Sequence, residues 1–457
     1  MKSSLIQMFL GFWKKFTTGS INRQILGAAI IVSFGTGLVK IAAIIKELVV
    51  AWRFGTGDEV DAFLIALVIP EFIKNVVAGS FNAALIPTYI QVREEEGIES
   101  AQRLFSGATI CSLGLLVITT ILLLVTSPLY LHKLASGFSP DKLALTFKLL
   151  FAVSPIVALS GLLATWSAVL NAGERFALAS LSPLITPTIT IALIFLVPSW
   201  GVFNLSGGLA IGAFLELVLL GQALRKQGIA IRPQWYGLDI HLRQVMSQYA
   251  PMITGSFLMC SSNLVDNSMA ADLAAGSVAA LNYGYRVTAS PLNLLSSALS
   301  TAVIPYFSKM IAREDWMGVR HTLRKYMRTI SLVTIPLTLI LVIFSENIIM
   351  ILFQRGAFSA SDTHLVAQIQ TYFALQIPFY IATMLVVRLI SSMRLSKIFI
   401  LGSSLNLIIN ITLNYVFSQW IGVAGIALST TCVYIFSFLF LSFFIMRQLK
   451  KLHPEIF

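Results

Sequence analysis

One uncharged stretch decides the fold class of this 457-residue chain: residues 104–129 read LFSGATICSLGLLVITTILLLVTSPL. An α-helix of about 20 apolar residues spans the hydrocarbon core of a bilayer. Similar runs recur along the chain, which is 57% hydrophobic and 11% charged. Soluble domains are about 45–50% apolar and about 25% charged, so this composition excludes a soluble enzyme, a disordered tail and a nucleic-acid-binding module. The sequence therefore predicts an all-α, polytopic membrane protein.

About twelve such runs are predicted to be transmembrane helices. Their approximate bounds are 25–51, 61–90, 104–129, 146–171, 176–198, 202–223, 246–269, 276–307, 329–353, 363–392, 398–418 and 421–446. Several exceed 25 residues, and helices of that length are expected to tilt or to project beyond the bilayer.

The distribution of lysine and arginine predicts the orientation of the chain. With both termini in the cytoplasm, the inner segments carry 22 of the 32 lysines and arginines, and the outer loops carry 5. This asymmetry is the positive-inside bias of a multi-pass membrane protein. The net charge of +12 is then mostly a consequence of topology, so it gives no reason to expect a nucleic-acid partner.

Two short motifs recur at a nearly constant offset. Residues 84–89 (ALIPTY) are similar to residues 302–306 (AVIPY), and residues 138–141 (FSPD) are similar to residues 358–362 (FSASD). Because six helices separate the copies, both halves enter the membrane in the same direction, as parallel transporter repeats do. We expect two six-helix lobes with a cytoplasmic connection and cytoplasmic ends. The predicted segments are an amphipathic segment 1–24, an N-lobe 25–223, a linker 224–245, a C-lobe 246–446 and a tail 447–457.

Basic residues lie inside the predicted spans, where a charge costs about 2.5–3.5 kcal/mol and normally faces a wet cavity or a partner. They are Lys40, Lys46, Lys74, Arg286 and Arg388. We expect these side chains to line a central cavity with excess positive charge. Such a cavity suits an anionic substrate, because lysine and arginine bind phosphate groups.

Acidic residues accompany them. Glu47, Asp61 and Glu71 are predicted to act in gating or charge balance, and the spacing of Glu71 and Lys74 allows a pair on one helix face. Glu216 and Asp266 are lone acids deep in their spans. A satisfied structural role is favoured for both, with ion coupling as the alternative.

No catalytic residue, metal site or cofactor is predicted. The chain has no phosphate-binding glycine-rich loop, no zinc-protease helix motif and no nucleophile elbow. Its three cysteines, Cys111, Cys260 and Cys432, are far apart in apolar runs and have no metal-ligand spacing. The sequence thus favours a transporter over an enzyme, with coupling to the membrane potential or to a monovalent cation as the possible driving force.

Two groups of motifs resemble a known family. Residues 46–57 (KELVVAWRFGTG), followed by Asp61-Ala62-Phe63, Ile69-Pro70 and residues 84–87, are similar to the start of the MurJ/MviN lipid II flippase family of the MOP transporter superfamily. Residues 353–358 (FQRGAF) with Asp362 are similar to the loop before that family's tenth helix.

The resemblance implies a V-shaped, two-lobed flippase of the bacterial inner membrane. It would move a polyprenyl-diphosphate-linked glycan, by default lipid II for peptidoglycan and cell wall biogenesis, to the outer leaflet by alternating access. The family's basic cavity positions fall on Lys40, Lys46, Lys74, Arg286 and Arg388, and its helix 2 aspartate falls on Asp61. Membrane lipids and envelope-biosynthesis proteins are the implied partners. The chain departs from the family in having room for about twelve helices where lipid II flippases typically have fourteen.

Three alternatives stay open. The first is a flippase for another lipid-linked oligosaccharide or exopolysaccharide unit. The second is a cation-coupled small-molecule exporter of the same superfamily, which predicts acidic rather than basic cavity residues. The third is a membrane scaffold that transports nothing, for which the charges inside the spans are dispensable.

Overall fold

The computed structural model describes residues 21–173, 176–229, 231–393, 395 and 397–452. Residues 1–20, most of the predicted amphipathic segment 1–24, lie outside the described part, as do residues 453–457 of the predicted tail. Throughout the described residues the secondary structure is helical and no strand occurs. The predicted all-α class is therefore confirmed.

Among the described residues, those up to the middle of the chain form nine α-helices. They are α1 (Ile21–Phe54), α2 (Asp58–Ile73), α3 (Gly79–Glu96), α4 (Ile98–Leu134), α5 (Pro140–Val153), α6 (Pro155–Ala172), α7 (Phe176–Leu181), α8 (Ile185–Leu196) and α9 (Phe203–Lys226). A π-helical turn (Lys74–Ala78) joins α2 to α3, and 3-10 turns (Ser182–Leu184 and Pro198–Trp200) flank α8.

The described residues of the second half form eight α-helices. They are α10 (Ile240–Ala271), α11 (Ser277–Ala312), α12 (Trp316–Ile343), α13 (Ser345–Phe353), α14 (Ala360–Ala374), α15 (Ile377–Ser392), α16 (Lys397–Ile421) and α17 (Val423–Leu452). Helices α9 and α10 extend into the predicted linker 224–245 from both sides, and α17 continues into the predicted tail 447–457. The expectation that the longest spans tilt or project beyond the bilayer stays a prediction.

Each of the twelve predicted spans falls on one helix or on consecutive helices. Within the described residues, nine helical runs are long and apolar enough to cross a membrane. The three predicted spans outside these nine lie on α1, α10 and α11, which carry Lys40 and Lys46, Asp266, and Arg286 respectively. The chain is a multi-pass membrane protein.

Prolines explain where several spans are interrupted. Pro70 lies inside α2, and the helix changes to a π-helical turn at Lys74. Proline removes one helical hydrogen bond and pushes its ring against the preceding turn, so a local irregularity is expected there. The structure places this irregularity within one turn after Pro70.

The second recurring motif has similar local structure in both copies. Ser139 precedes α5, and its hydroxyl accepts a hydrogen bond from the backbone N–H of Lys142. Ser359 is the N-cap of α14, where it forms a capping box with Asp362. Both helices are short and each is followed by a helix with a proline in its first turn, Pro155 in α6 and Pro378 in α15. The similarity of the two copies thus extends from sequence to capping and helix breaks.

The chain divides into two compact units made of interleaved segments. Unit 1 contains residues 1–49, 70–127 and 148–254, and unit 2 contains residues 50–69, 128–147 and 255–457. Segments 50–69 and 128–147, which belong to the first half of the sequence, are thus grouped with the second half. The predicted lobes 25–223 and 246–446, like the V shape, stay predictions.

Unit 1 has a core of large apolar side chains from α3, α4, α6, α9 and the start of α10. Phe81, Leu104, Leu170, Leu220 and Val245 are all nearly inaccessible to solvent. Burying one such side chain contributes about 1.5–3 kcal/mol where the alternative is water. Within a membrane, helices are held together mainly by van der Waals packing and by the close approach of their backbones, because lipid tails are as apolar as the side chains.

Unit 2 has its core between α11, α12, α15 and α17. Phe307, Leu385 and Ile445 are almost fully buried there. Gly284 allows α11 to approach α14, because a Cβ at this position would lie 2.7 Å from a side-chain carbon of Ile369. This close packing fixes α11, the helix that carries Arg286.

Candidate functional site

A buried carboxylate in unit 2 holds the start of α11. Asp61 is 1% exposed. Its Oδ2 accepts a hydrogen bond from the backbone N–H of Gly276 at 2.7 Å, and its Oδ1 accepts one from Ala279 at 2.8 Å. The first N–H groups of a helix have no partner within the helix and carry partial positive charge. Asp61 therefore caps α11 from a helix far away in sequence.

Lys142 provides the counter-charge for this carboxylate. Its Nζ lies 2.8 Å from Oδ2 of Asp61 and 2.7 Å from Oδ1 of Asp58. The ammonium also lies 4.0 Å from the centre of the Phe138 ring, a cation–π distance. Lys142 lies in the first turn of α5 and is only 9% exposed, so this cation is part of the packed interior of unit 2.

A second set of contacts in unit 2 connects the segment after α1 with the start of α14. Thr56 donates a hydrogen bond from Oγ1 to Oδ1 of Asp362. The backbone N–H of Ala357 donates to the carbonyl of Trp52 at 2.8 Å. These residues belong to the two motifs that carry the family resemblance, so part of that similarity corresponds to a structural contact.

Three of the predicted substrate-binding cations lie in unit 1. The Nζ of Lys46 is 2.6 Å from Oε1 of Glu47, and the Nζ of Lys74 is 3.8 Å from Oε1 of Glu71. The predicted pairing of Glu71 and Lys74 is therefore confirmed. Lys40 is exposed on α1, so its Nζ is accessible to a ligand. Lys46 is more restricted, because its neighbour already neutralises much of its charge.

Arg286 and Arg388 lie in unit 2. Both are half-buried, Arg286 on α11 and Arg388 near the end of α15. Tyr285, beside Arg286, stacks edge-on against Phe373, with 5.4 Å between the ring centres. The grouping of Lys40, Lys46, Lys74, Arg286 and Arg388 into one cavity stays a prediction.

The two lone acids differ in their surroundings. Glu216, in unit 1, is buried and accepts one hydrogen bond from Ser182 at 2.9 Å. Asp266, in unit 2, accepts from Asn414 at 2.7 Å, from Asn410 at 3.0 Å and from Thr430 at 3.4 Å. The sequence predicts the same role for both acids. Among the described residues, however, three side chains donate hydrogen bonds to Asp266, whereas Ser182 donates one to Glu216.

Two amide oxygens in the Asp266 cluster, which consists of Asp266, Asn410, Asn414 and Thr430, have no hydrogen-bond donor in the described part of the chain. The Oδ1 atoms of Asn410 and Asn414 are buried and accept no hydrogen bond from the described residues. A buried polar atom without a hydrogen-bond partner lowers the stability of the fold, and a bound ion or water is one way to satisfy it. Carboxylate, amide and hydroxyl oxygens are the ligands that hard cations prefer.

Sequence reasoning missed Lys142, Asn410, Asn414 and Thr430. For the asparagines a usable signal exists: they are four residues apart on α16, so they share one face of the helix. For Lys142 no local signal exists, since Asp61 and Gly276 approach it only in the folded chain.

Known proteins are similar to this chain over most of its length. The family model described as lipid II flippase MurJ matches residues 50–457. A probable lipid II flippase MurJ from Synechocystis sp. is 27% identical over 450 residues, covering 95% of this chain and 84% of the relative.

Solved structures agree on the fold. Lipid II flippase MurJ in an inward closed conformation has a TM-score of 0.79 at 24% identity, covering 91% of this chain and 87% of that one. A multidrug resistance MATE family transporter of the MOP superfamily, in an inward-facing conformation, has a TM-score of 0.72 at 13% identity, covering 93% and 99%. Because the family model extends over most of the sequence, this chain belongs to the MurJ family.

Proposed function

We propose that this protein flips a polyprenyl-diphosphate-linked glycan, by default lipid II, from the inner to the outer leaflet by alternating access. The observation that carries the proposal is the family match over residues 50–457. The basic residues inside the spans support it, because a diphosphate entering a low-dielectric region needs positive partners. The protein acts as a transporter without catalytic residues of its own.

The test is a flipping assay with purified protein in liposomes. A fluorescent lipid-linked precursor in the inner leaflet should reach the outer leaflet at a rate that depends on the protein. Lys40→Ala and Arg286→Ala should lower this rate at least about tenfold, because each removes a charge that binds the diphosphate. Lys40→Arg should retain it, since the charge stays.

The matched control is Lys148→Ala, an exposed cation in α5 that is not among the proposed cavity residues. Full activity of correctly folded Lys40→Ala and Arg286→Ala would contradict the assignment of these residues to the substrate. No flipping of any lipid-linked glycan by the unaltered protein would contradict the proposed function itself.

The identity of the glycan is decided by depletion in the native host. Accumulation of lipid II would support the default substrate and a role in peptidoglycan synthesis, cell wall biogenesis and cell shape. Accumulation of another lipid-linked oligosaccharide or exopolysaccharide unit would support the first alternative, a flippase of the same mechanism with a different cargo.

A cation-coupled small-molecule exporter is the second candidate, favoured by the similarity of the fold to a MATE family transporter. It predicts that overproduction raises resistance to organic cations. It also predicts that Glu216→Gln or Asp266→Asn abolishes export, whereas Lys40→Ala leaves export unchanged.

A monovalent cation bound at Asp266 is the proposed coupling ion. The support is the set of polar side chains around the Asp266 carboxylate, namely Asn410, Asn414 and Thr430; rotation of the two amides would turn their oxygens, which have no partner among the described residues, toward an ion bound there. Asp266→Asn should make flipping independent of an imposed sodium or potassium gradient, and Glu216→Gln should not. Equal responses of both variants would leave the membrane potential as the driving force.

The proposed location is the bacterial inner membrane with both termini in the cytoplasm. The bias of lysine and arginine supports this orientation. Membrane lipids and envelope-biosynthesis proteins are the proposed partners. Cross-linking in intact cells, followed by identification of the attached proteins, tests the second group.

A further inference from the structure

A long apolar groove lies in unit 2, outside the residues assigned to the substrate. It has a volume of about 860 Å³ and is formed by α12, α15 and α17. Leu323, Ile335, Val386, Phe438 and Ile445 form its walls. Pockets of this size accommodate drug-sized or lipid-sized molecules.

Three arginines line one end of this groove. Arg320, Arg324 and Arg328 are four residues apart on α12, so they form one stripe about 12 Å long on the helix surface. Arg324 and Arg328 are exposed. Within the described part of the chain, no aspartate or glutamate lines the groove. The stripe therefore has a net positive charge of three.

The groove changes from basic to apolar along α12. After Arg328 the lining continues with Ser331, Leu332, Ile335 and Pro336, and Leu332 is 75% exposed. A basic segment followed by an exposed apolar surface is the pattern of a helix leaving the headgroup region and entering the hydrocarbon core. The hydroxyl of Ser442, also in the lining, is buried and has no hydrogen-bond partner among the described residues.

We propose that this groove binds an anionic glycerophospholipid, with its phosphate on the arginine stripe and an acyl chain along the apolar walls. Guanidinium groups bind phosphate oxygens through paired hydrogen bonds, and basic pockets between membrane helices bind acidic headgroups. The leaflet follows from the proposed orientation, which places residues 308–328 on the cytoplasmic side. The bound lipid is therefore one of the inner leaflet.

The charge distribution favours a phospholipid over the other occupants. A second copy of this chain, which also has a net charge of +12, would bury the three arginines at the contact, and burying charge in this way costs several kcal/mol for each unpaired group. A neutral lipid would bring no anionic group to the stripe.

Native mass spectrometry of the purified protein tests the proposal. The probe is an equimolar mixture of phosphatidylglycerol and phosphatidylethanolamine, and the expected result is a retained phosphatidylglycerol adduct. The triple variant Arg320→Gln, Arg324→Gln and Arg328→Gln should lose this adduct by about tenfold or more, because each basic residue strengthens binding to acidic lipid. The control Lys309→Gln, Arg313→Gln and Lys325→Gln removes the same charge from residues that do not line the groove.

A second variant tests whether the apolar walls of the groove, and not the arginine charges alone, bind the lipid. Ile335→Trp leaves all three arginines in place but fills the apolar part, so it should also release the adduct. Equal loss in the control triple variant, or an unchanged adduct in Ile335→Trp, would overturn the proposal. Displacement of phosphatidylglycerol by a small excess of undecaprenyl phosphate would also overturn it. The assay reports binding without flipping, so its failure leaves the proposed transport function standing, and a failed flipping assay leaves this site standing.

Discussion

At the scale of single residues, Asp61 shows how a charge is stabilised inside this protein. Both of its carboxylate oxygens accept backbone N–H groups, and the Lys142 ammonium lies within 2.8 Å. A buried charge with one partner removed costs about 3–5 kcal/mol, whereas a fully paired one is close to neutral. Loss of Lys142 would therefore leave Asp61 buried without its counter-charge.

We predict that Lys142→Met lowers the stability of the folded protein by about 3–5 kcal/mol, since it leaves Asp61 buried without its cation. The double variant Lys142→Met with Asp61→Asn should recover part of this loss, because no uncompensated charge remains. Melting temperatures in detergent measure both effects. Lys133→Met, an exposed cation nearby in sequence, is the control and should be nearly neutral. A Lys142→Met protein as stable as this control would show that the pair is not needed.

At the scale of elements, the start of α11 is fixed by backbone geometry as well as charge. Gly276 precedes the helix with φ +85°, in the left-handed region that residues with a Cβ avoid. A Cβ there would also lie 2.3 Å from the carbonyl oxygen of Thr56. The helix that carries Arg286 thus begins where only glycine fits.

We expect Gly276→Ala to destabilise the protein by several kcal/mol, because steric overlap with Thr56 adds to about 1–2 kcal/mol of backbone strain. Gly114→Ala is the matched control: it lies inside α4, and a Cβ added there would meet no described atom within 4 Å. That change should stabilise α4 by about 0.5–1 kcal/mol, since alanine favours a helix more than glycine does. Thermal unfolding of both variants checks the pair, and similar melting temperatures would contradict the prediction.

At the scale of the whole molecule, the twelve predicted spans and the bias of basic residues constrain the topology together. Moving one of the first helices out of the membrane would reverse every later loop and place most of the basic residues outside. The interleaved membership of units 1 and 2 does not alter this argument, because the topology depends on the order of spans along the chain.

Cysteine labelling in intact cells tests the topology. In a background with Cys111, Cys260 and Cys432 replaced by alanine, we predict that Lys133→Cys reacts with a membrane-impermeant maleimide. Leu238→Cys, exposed in the loop before α10, should react only after the membrane is permeabilised. The opposite result for both positions would invert the predicted orientation.

The sequence by itself determined the fold class, the twelve helical segments and the family, because these follow from apolar length, the positions of basic residues and short motifs. It also identified the Glu71–Lys74 pair, whose three-residue spacing places both side chains on one helix face. Helix ends were predicted less well: α17 continues beyond residue 446, since hydropathy does not mark where a helix leaves the membrane.

Only the tertiary structure decided which charges are neutralised. Lys142 and Asp61 are 81 positions apart, and Asp266 is 144 positions from Asn410. No periodicity in the sequence predicts such partners, because they are set by helix packing rather than by helix repeat. A charge in an apolar span indicates that some partner exists, and the fold alone determines whether that partner is a side chain, a helix end or a ligand.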